Sequence, residues 1–182
     1  MAEYRRVIAI ELLPAEANED TTVVDTIVDV VNRAYTTAET ELWRRPLPRT
    51  NADETRTAIA NEEVAVARLD GAIVGSLFVR LLDANTGWFG ALSVDPAFGG
   101  QGIGGLLVEF AEQRALAAGA RTMQLELLVP IQSIAHTDRL AAWYAALGYR
   151  ETDSRELAEL DPTCIDDALV EIRVSVMRKP LA

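Results

Sequence analysis

The stretch SVDPAFGGQGIGGLLVEFAEQRALAAG, from Ser93 to Gly119, places five glycines within seven positions and then continues directly into a helical pattern. Each glycine inside a helix costs about 1 kcal/mol relative to alanine. Two interpretations are open: a surface turn with close helix–sheet packing, or a backbone that must approach a ligand. The first turn of a helix has unpaired N–H groups and a positive dipole end, which favour phosphate binding. The amides of Gly100 to Gly105 are therefore candidates for holding a diphosphate.

Two common nucleotide-binding motifs do not fit this spacing. A P-loop closes with Gly-Lys-Ser/Thr, whereas Gly104 is followed by Gly105 and Leu106, with no lysine nearby. A dinucleotide fingerprint requires G-x-G-x-x-G on the first strand-to-helix turn. Here the glycines follow at least three strands that are predicted to be antiparallel. The sequence therefore argues against both classes of nucleotide-binding protein.

The periodicity of the apolar residues predicts the order of the remaining elements. Asp70-Gly71, between two alternating segments, indicates a β-hairpin with a type I′ turn. Gly119 is expected to end a helix in the left-handed conformation, and Gly148 ends the next helix. The predicted elements are strand Val7–Leu13, an amphipathic helix starting near Asp20, a short helix near Asp53–Ala60, strands Glu63–Leu69, Ala72–Leu82 and Gly87–Val94, the helix after the glycines, strand Thr122–Val129, helix Thr137–Leu147 and two C-terminal strands. This order predicts one mixed α/β sheet in a single domain, residues 1–182.

The composition limits the classes of partner. The formal net charge of −11 argues against nucleic acid and anionic membranes, because phosphate binding needs clustered Lys and Arg. No segment approaches the roughly 20 apolar residues that cross a bilayer. Charges interrupt the apolar residues near the N-terminus, so a cytoplasmic protein is expected. With one cysteine, Cys164, and one histidine, His136, the chain has neither an internal disulfide nor a Cys/His zinc cluster, and we expect no metal.

Three segments together, LSVDPAFGGQGIGGLLV, LEL and WYAALGYR, resemble the GCN5-related N-acetyltransferases, the GNAT superfamily. The resemblance implies an α/β fold of the α+β type, with a mixed, mostly antiparallel sheet flanked by helices. It also implies acetyl-CoA as the cosubstrate, its pyrophosphate held by a loop of the form Arg/Gln-x-x-Gly-x-Gly/Ala. Gly102 and Gly104 match the last two positions, whereas Gly99 stands where Arg or Gln is usual. By this resemblance, the residues that bind acetyl-CoA are Leu92, Ser93, Val94, Gly99, Gly100, Gln101, Gly102, Ile103, Gly104 and Gly105.

Transfer of an acetyl group to an amine needs a proton acceptor for the amine, hydrogen-bond donors for the oxyanion and a proton donor for the thiolate. Glu126 is charged in an otherwise apolar strand, where alternation places it on one face with Gln124 and Leu128. Some members of the family carry a glutamate at the matching position, so Glu126 is the candidate base. A solvent-facing strand residue without a catalytic role is the alternative.

The resemblance assigns the other two roles. Tyr144, in WYAALGY, matches the tyrosine that protonates the thiolate of CoA, and a phenol is a reasonable acid for that step. The backbone N–H of Val94 is expected to hold the thioester carbonyl. The alternative for Tyr144 is aromatic packing with Trp143 and Tyr149.

The expected function is that of an acetyl-CoA-dependent N-acetyltransferase that acts on a primary amine of a small molecule or peptide by direct attack. A non-catalytic acyl-CoA-binding module with the same fold is the alternative, and the departure at Gly99 is the feature that favours it. The family often has Asn where Thr137 stands, and His136 is expected in the loop before the last helix. An exposed strand edge near the C-terminus permits a homodimer.

Overall fold

The computed structural model describes residues 7–182. Within this part of the chain, seven strands form one sheet: β1 Ile8–Leu12, β2 Val64–Leu69, β3 Ala72–Leu81, β4 Thr86–Val94, β5 Thr122–Pro130, β6 Arg150–Glu156 and β7 Ile172–Pro180. Their hydrogen-bonded order is β1-β2-β3-β4-β5-β7-β6. Parallel pairing joins β4 to β5, whereas antiparallel pairing joins β1 to β2, β2 to β3, β5 to β7 and β6 to β7. The predicted mixed, mostly antiparallel α/β sheet is confirmed; residues 1–6 of the predicted domain lie outside the described residues.

Among the described residues, five α-helices accompany the sheet: α1 Thr21–Ala38, α2 Ala52–Ala60, α3 Ile103–Ala117, α4 Ala135–Ala146 and the single turn α5 Leu157–Leu160. Asp20 caps α1 by accepting hydrogen bonds from the N–H groups of Thr22 and Val23, at 2.9 and 3.2 Å. Gly119 and Gly148 follow α3 and α4 with φ of +97° and +101°, as glycine in a left-handed helix end allows. Among residues 7–182, no helix combines the length and the apolar character needed to span a membrane.

The predicted hairpin is confirmed in its turn conformation. Asp70 and Gly71 both have positive φ, at 51° and 85°, as a type I′ turn requires. The predicted start of α4 at Thr137 was wrong, because the helix begins at Ala135. The N–H of Asp138 donates to the carbonyl of Ile134 at 2.9 Å, which closes the first helical turn. His136 therefore belongs to the helix rather than to the preceding loop.

Short helical segments were missed by the sequence analysis. They include 3₁₀ segments at Ala15–Glu19 and Pro162–Asp167, and the turn α5. Cys164 lies buried in the second 3₁₀ segment, where its thiol donates to the carbonyl of Asp161 at 3.1 Å. Segments of four to six residues are too short for an apolar period to be recognised.

The chain divides into two compact units. The first contains the residues up to Tyr35 together with Pro48–Arg80 and Phe89–Arg114, and the second contains Thr36–Leu47, Leu81–Trp88 and Ala115–Ala182. The core of the first unit joins α1 and α2 to β2 through Leu13, Val24, Ile27, Val31, Ala58, Ile59, Val64 and Val66. The core of the second unit consists of Leu42, Trp43, Leu128, Ile134, Leu157, Cys164, Ile172 and Val174.

The outer strand β6 is polar throughout, with the sequence RETDSRE, and each of its residues is exposed. Glu151 ties it to β7 by accepting hydrogen bonds from Ser175 Oγ at 2.6 Å and Arg173 Nη1 at 2.8 Å. These two hydrogen bonds lower the pKa of Glu151, and the bond from Ser175 has the larger effect. The edge of the sheet is therefore held by side-chain hydrogen bonds in addition to the ladder.

The parallel contact between β4 and β5 is short. It pairs Thr86, Gly87 and Trp88 with Thr122, Met123 and Gln124, respectively. Gly87 is close to both β5 and the end of α3: a Cβ there would lie 2.6 Å from Cβ of Ala115. The absence of a side chain at this position is thus a packing requirement.

Gly87→Ala is expected to lower the free energy of unfolding by about 1–3 kcal/mol, since overpacking strains a well-filled core. The added Cβ would also lie 2.8 Å from Sδ of Met123. Urea denaturation followed by circular dichroism measures the change. Gly99→Ala is the matched control, because φ is −58° there and the nearest contact, with the carbonyl of Pro96, is an ordinary 3.5 Å. Equal stability of the two variants would contradict the close packing at Gly87.

Candidate active site

The turn between β4 and α3 is shaped by two left-handed glycines. Gly100 and Gly102 have φ of +76° and +80°. An L-residue with a Cβ is strained in this region by about 1–2 kcal/mol. Gly99 has φ of −58° and ψ of 151°, which any residue adopts. The five glycines of the sequence are therefore not equivalent, and Gly100 and Gly102 are the ones that the turn itself requires.

The first turn of α3 presents backbone donors. The N–H of Leu106 donates to the carbonyl of Gly102 at 3.2 Å, which starts the helical hydrogen-bond series. The N–H groups of Ile103, Gly104 and Gly105 precede that bond and have no intrahelical acceptor. A Cβ at Gly105 would meet no atom within 4 Å, so packing gives no reason for glycine inside the helix. The missing side chain leaves room for a ligand beside the amides, where the helix dipole favours negative charge.

Asp95 holds this turn in place. Its Oδ1 accepts from the N–H of Ala97 at 2.9 Å, and its carbonyl accepts from the N–H of Phe98 at 2.8 Å. Its Oδ2 accepts from Nη2 of Arg33 on α1, also at 2.8 Å. Arg33 and Asp95 are 62 positions apart in the chain, so no local sequence pattern predicts their ion pair.

The end of β4 carries an unusual backbone. Ala91 has φ of +49°, which is rare for a residue with a Cβ and locally breaks the strand geometry. The N–H of Asp95 points to β3, since it donates to the carbonyl of Val74 at 2.8 Å. Because backbone groups alternate in direction along a strand, the N–H and C=O of Val94 point away from β3, and those of Leu92 follow the same alternation. These are the groups that a ligand lying along β4 would pair with.

Ser93 and Gly75 fill the space between β4, β3 and α3. Ser93 is 3% exposed, and its hydroxyl donates to the carbonyl of Ser76 at 3.3 Å. A Cβ at Gly75 would lie 3.0 Å from the carbonyl oxygen of Ser93 and 3.2 Å from Cγ2 of Ile103. Gly75 thus allows the start of α3 to pack against β3. The sequence analysis missed it, because a single glycine inside a strand does not reveal which neighbour comes close.

In the second unit, Glu126 lies on β5 and is partly buried. Its Oε1 accepts a hydrogen bond from Nε2 of Gln124 at 2.9 Å, and its Oε2 accepts one from Nε1 of Trp88. The predicted shared face of Gln124 and Glu126 is confirmed by the first of these bonds. Both carboxylate oxygens are held by donors, and each oxygen keeps a further lone pair with which it can accept a proton or a hydrogen bond.

Tyr144 is 5% exposed on α4 and belongs to an aromatic cluster. Its ring centroid lies 4.8 Å from that of Trp143 and 5.9 Å from that of Tyr149. The Lys179 ammonium lies 5.7 Å from the centroid of Tyr149, and Lys179 pairs with Met123 of β5. The aromatic packing expected as the alternative is thus present.

The two predicted proton-transfer residues lie on different elements, Glu126 on β5 and Tyr144 on α4. Met123 and Glu126 are separated by three positions, so their side chains point to different sides of the strand. The cluster of Tyr144 adjoins the side of Met123 through Lys179, whereas Glu126 shares its side with Gln124 and Trp88.

Within residues 7–182, no group of three or more His, Cys, Asp and Glu side chains is arranged to hold a metal ion.

Comparison with protein-family models gives a match to an acetyltransferase (GNAT) domain over residues 60–151. The chain belongs to the GNAT acetyltransferase family. The matched residues begin at the end of α2 and run to the start of β6. They contain the glycine turn, Glu126 and Tyr144.

Solved GNAT structures share the fold at low sequence identity. A PaiA N-acetyltransferase from Thermoplasma acidophilum, in complex with coenzyme A, is 15% identical with a TM-score of 0.71, covering 96% of this chain and 99% of that one. The Escherichia coli ribosomal-protein-S18-alanine N-acetyltransferase is 19% identical with a TM-score of 0.62, covering 97% and 95%. A GNAT acetyltransferase from Elizabethkingia anophelis with acetyl-CoA bound is 18% identical with a TM-score of 0.54, covering 65% and 75%. A search of curated proteins gave no match.

Substitutions at two glycines of the turn are expected to change stability in opposite directions. Gly102→Ala should lower the free energy of unfolding by about 1–2 kcal/mol, because its φ of +80° is strained for alanine. Gly105→Ala should raise it by up to about 1 kcal/mol, because alanine favours the helix and its Cβ meets nothing within 4 Å. Urea denaturation in the absence of ligand measures both. A destabilised Gly105→Ala protein would show that packing, rather than room for a ligand, requires this glycine.

Proposed function

We propose that this protein is an acetyl-CoA-dependent N-acetyltransferase that moves the acetyl group directly to a primary amine of a small molecule or peptide. The observation that carries the proposal is the start of α3 in a chain of the GNAT family: the amides of Ile103, Gly104 and Gly105 have no intrahelical acceptor, and a Cβ at Gly105 would meet nothing within 4 Å. Coenzyme A and acetyl-CoA are bound in two of the similar structures, which supports the same ligand here. A non-catalytic module is not favoured, because Glu126 and Tyr144 are both retained.

The residues of the first unit fit the cosubstrate. The N–H groups of Ile103, Gly104 and Gly105 would hold the diphosphate, and the outward groups of Leu92 and Val94 would pair with the pantetheine arm. Gly100, Gln101 and Gly102 would line the turn beside the diphosphate, and Gly99 contributes no side chain to it. The proposal thus assigns the diphosphate to backbone donors, with the positive end of α3 providing the favourable field.

Acetyl-CoA supplies the acetyl group as a thioester, and the products are an amide and the free thiol of CoA. Glu126 accepts the proton that the amine nitrogen loses as its lone pair forms the new C–N bond. The N–H of Val94 donates to the carbonyl oxygen as negative charge develops there. Tyr144 gives its phenolic proton to the sulfur as the C–S bond breaks, and solvent restores that proton. The proposal thus assigns the base and the acid to different residues, Glu126 on β5 and Tyr144 on α4.

A thiol-release assay with acetyl-CoA and a panel of primary amines tests the proposal. Glu126→Gln is expected to lower kcat by about 100-fold or more, the usual contribution of a general base. Tyr144→Phe should lower kcat by at least about 10-fold while the Kd of CoA, from calorimetry, is unchanged. Tyr149→Phe is the matched control, since it removes a neighbouring phenol from the same cluster. Binding of CoA without release in the presence of any amine would establish the non-catalytic module, and failure to bind CoA would overturn the proposal.

A gain of affinity is expected at the position that departs from the family pattern. Gly99→Arg fits the backbone, since φ is −58° and a Cβ makes only an ordinary contact of 3.5 Å. A guanidinium there would add charge-assisted hydrogen bonds to the diphosphate, so the Kd of CoA should fall by about 10-fold. Gly99→Ala is the matched control. Pantetheine lacks the diphosphate and should bind both variants equally; an equal gain for pantetheine would place the diphosphate elsewhere.

A further inference from the structure

Three polar residues lie in one row across β4, β5 and β7. Trp88 pairs with Gln124 in the parallel ladder, and Gln124 pairs with Arg178 in the antiparallel ladder. Residues that are paired across strands present their side chains on the same face. Glu126 is two positions beyond Gln124 on that face. The row therefore brings three hydrogen-bonding side chains beside the carboxylate that we propose as the base.

The row forms a directed chain of hydrogen bonds. Nε of Arg178 donates to Oε1 of Gln124 at 2.8 Å, and Nε2 of Gln124 donates to Oε1 of Glu126 at 2.9 Å. A guanidinium can only donate, so its partner in Gln124 must be the amide oxygen. The amide nitrogen is then necessarily turned toward Glu126. Arg178 thus decides which end of the Gln124 amide faces the carboxylate.

Trp88 restrains the other oxygen of the carboxylate. Its indole N–H, which is a donor only, is directed at Oε2 of Glu126. Gln124 is 4% exposed, so its amide is fixed by burial as well as by its partners. With one donor on each oxygen, the plane of the carboxylate is set from two sides. The two hydrogen bonds therefore also fix the directions of the remaining lone pairs on the Glu126 carboxylate.

We propose that Gln124 and Arg178 are positioning residues that act through Glu126: Arg178 orients the Gln124 amide, and the amide orients the carboxylate for proton transfer. The inference rests on the proposed function, in which Glu126 is the base. The amide dipole lies between a cation and an anion and is aligned with both, which strengthens each bond of the chain. Arg178 itself is exposed, so its influence passes through this orientation rather than through a strong direct attraction to Glu126.

The test is a double-mutant comparison of kcat in two backgrounds. Gln124→Met and Arg178→Met are each expected to lower kcat for the amine by about 10-fold in the otherwise unchanged protein, because a misplaced base loses rate steeply. In the Glu126→Gln background, the same changes should lower kcat by less than about 2-fold, since residues that act as a unit are not additive. Arg178→Lys, which keeps a charged donor, should restore most of the rate.

Controls separate positioning from folding. Arg155→Met removes another exposed arginine of the second unit, on β6, and should leave kcat unchanged. The Kd of CoA should be the same in all variants, and the melting temperature of Arg178→Met should match that of Arg155→Met. Should the buried Gln124→Met protein fold poorly, the exposed Arg178→Met protein still gives the comparison.

Each outcome is decisive. Equal losses of kcat in both backgrounds would mean that Gln124 and Arg178 have a merely structural role, which overturns the inference and leaves the acetyltransferase proposal intact. An unchanged kcat in Glu126→Gln would overturn both the role of Glu126 as base and its positioning by Gln124. The absence of acetyl transfer by the unmodified protein to any amine would overturn the proposed function itself.

Discussion

The left-handed conformation of Gly100 and Gly102 is the constraint on which the candidate site depends. With φ of +76° and +80°, these residues turn the chain from the end of β4 into α3 within a few positions. The direction of the helix then decides where its unpaired amides point. Asp95 stabilises the turn through its hydrogen bonds to Ala97 and Arg33, whereas the direction of the turn comes from the two glycines. A backbone restriction, more than any side chain, thus defines the end of α3 at which we propose that the diphosphate binds.

A second constraint applies to β5, whose two faces have different chemistry. On one side Met123 lies beside Gly87, whereas the side of Gln124 and Glu126 carries the polar chain that continues to Arg178. Burying polar groups costs free energy unless they are hydrogen-bonded. Here each oxygen of Glu126 and both ends of the Gln124 amide have partners. The same bonds that reduce this cost also limit the freedom of the carboxylate.

The sequence predicts the elements and turns that depend on neighbouring residues. The Asp70-Gly71 turn, the glycines after β4 and the helix end at Gly119 each follow from the conformational range of a few adjacent residues. The shared face of Gln124 and Glu126 follows from alternation alone. The bond from Arg178 to Gln124 joins residues 54 positions apart, and its existence depends on strand register that no local pattern contains. The positive φ of Ala91 was hidden for another reason, since alanine gives no local sign of a left-handed conformation.

The polar strand β6 determines where the sheet stops. Seven consecutive exposed side chains, most of them charged, accompany its unpaired backbone edge. Charged residues on an outer strand make the addition of a further strand unfavourable, because they must be brought together and desolvated. A homodimer of this protein would therefore be expected to avoid the β6 edge and to use another surface. The exposed charges of β6 thus oppose aggregation by strand addition, and this effect on solubility is independent of catalysis.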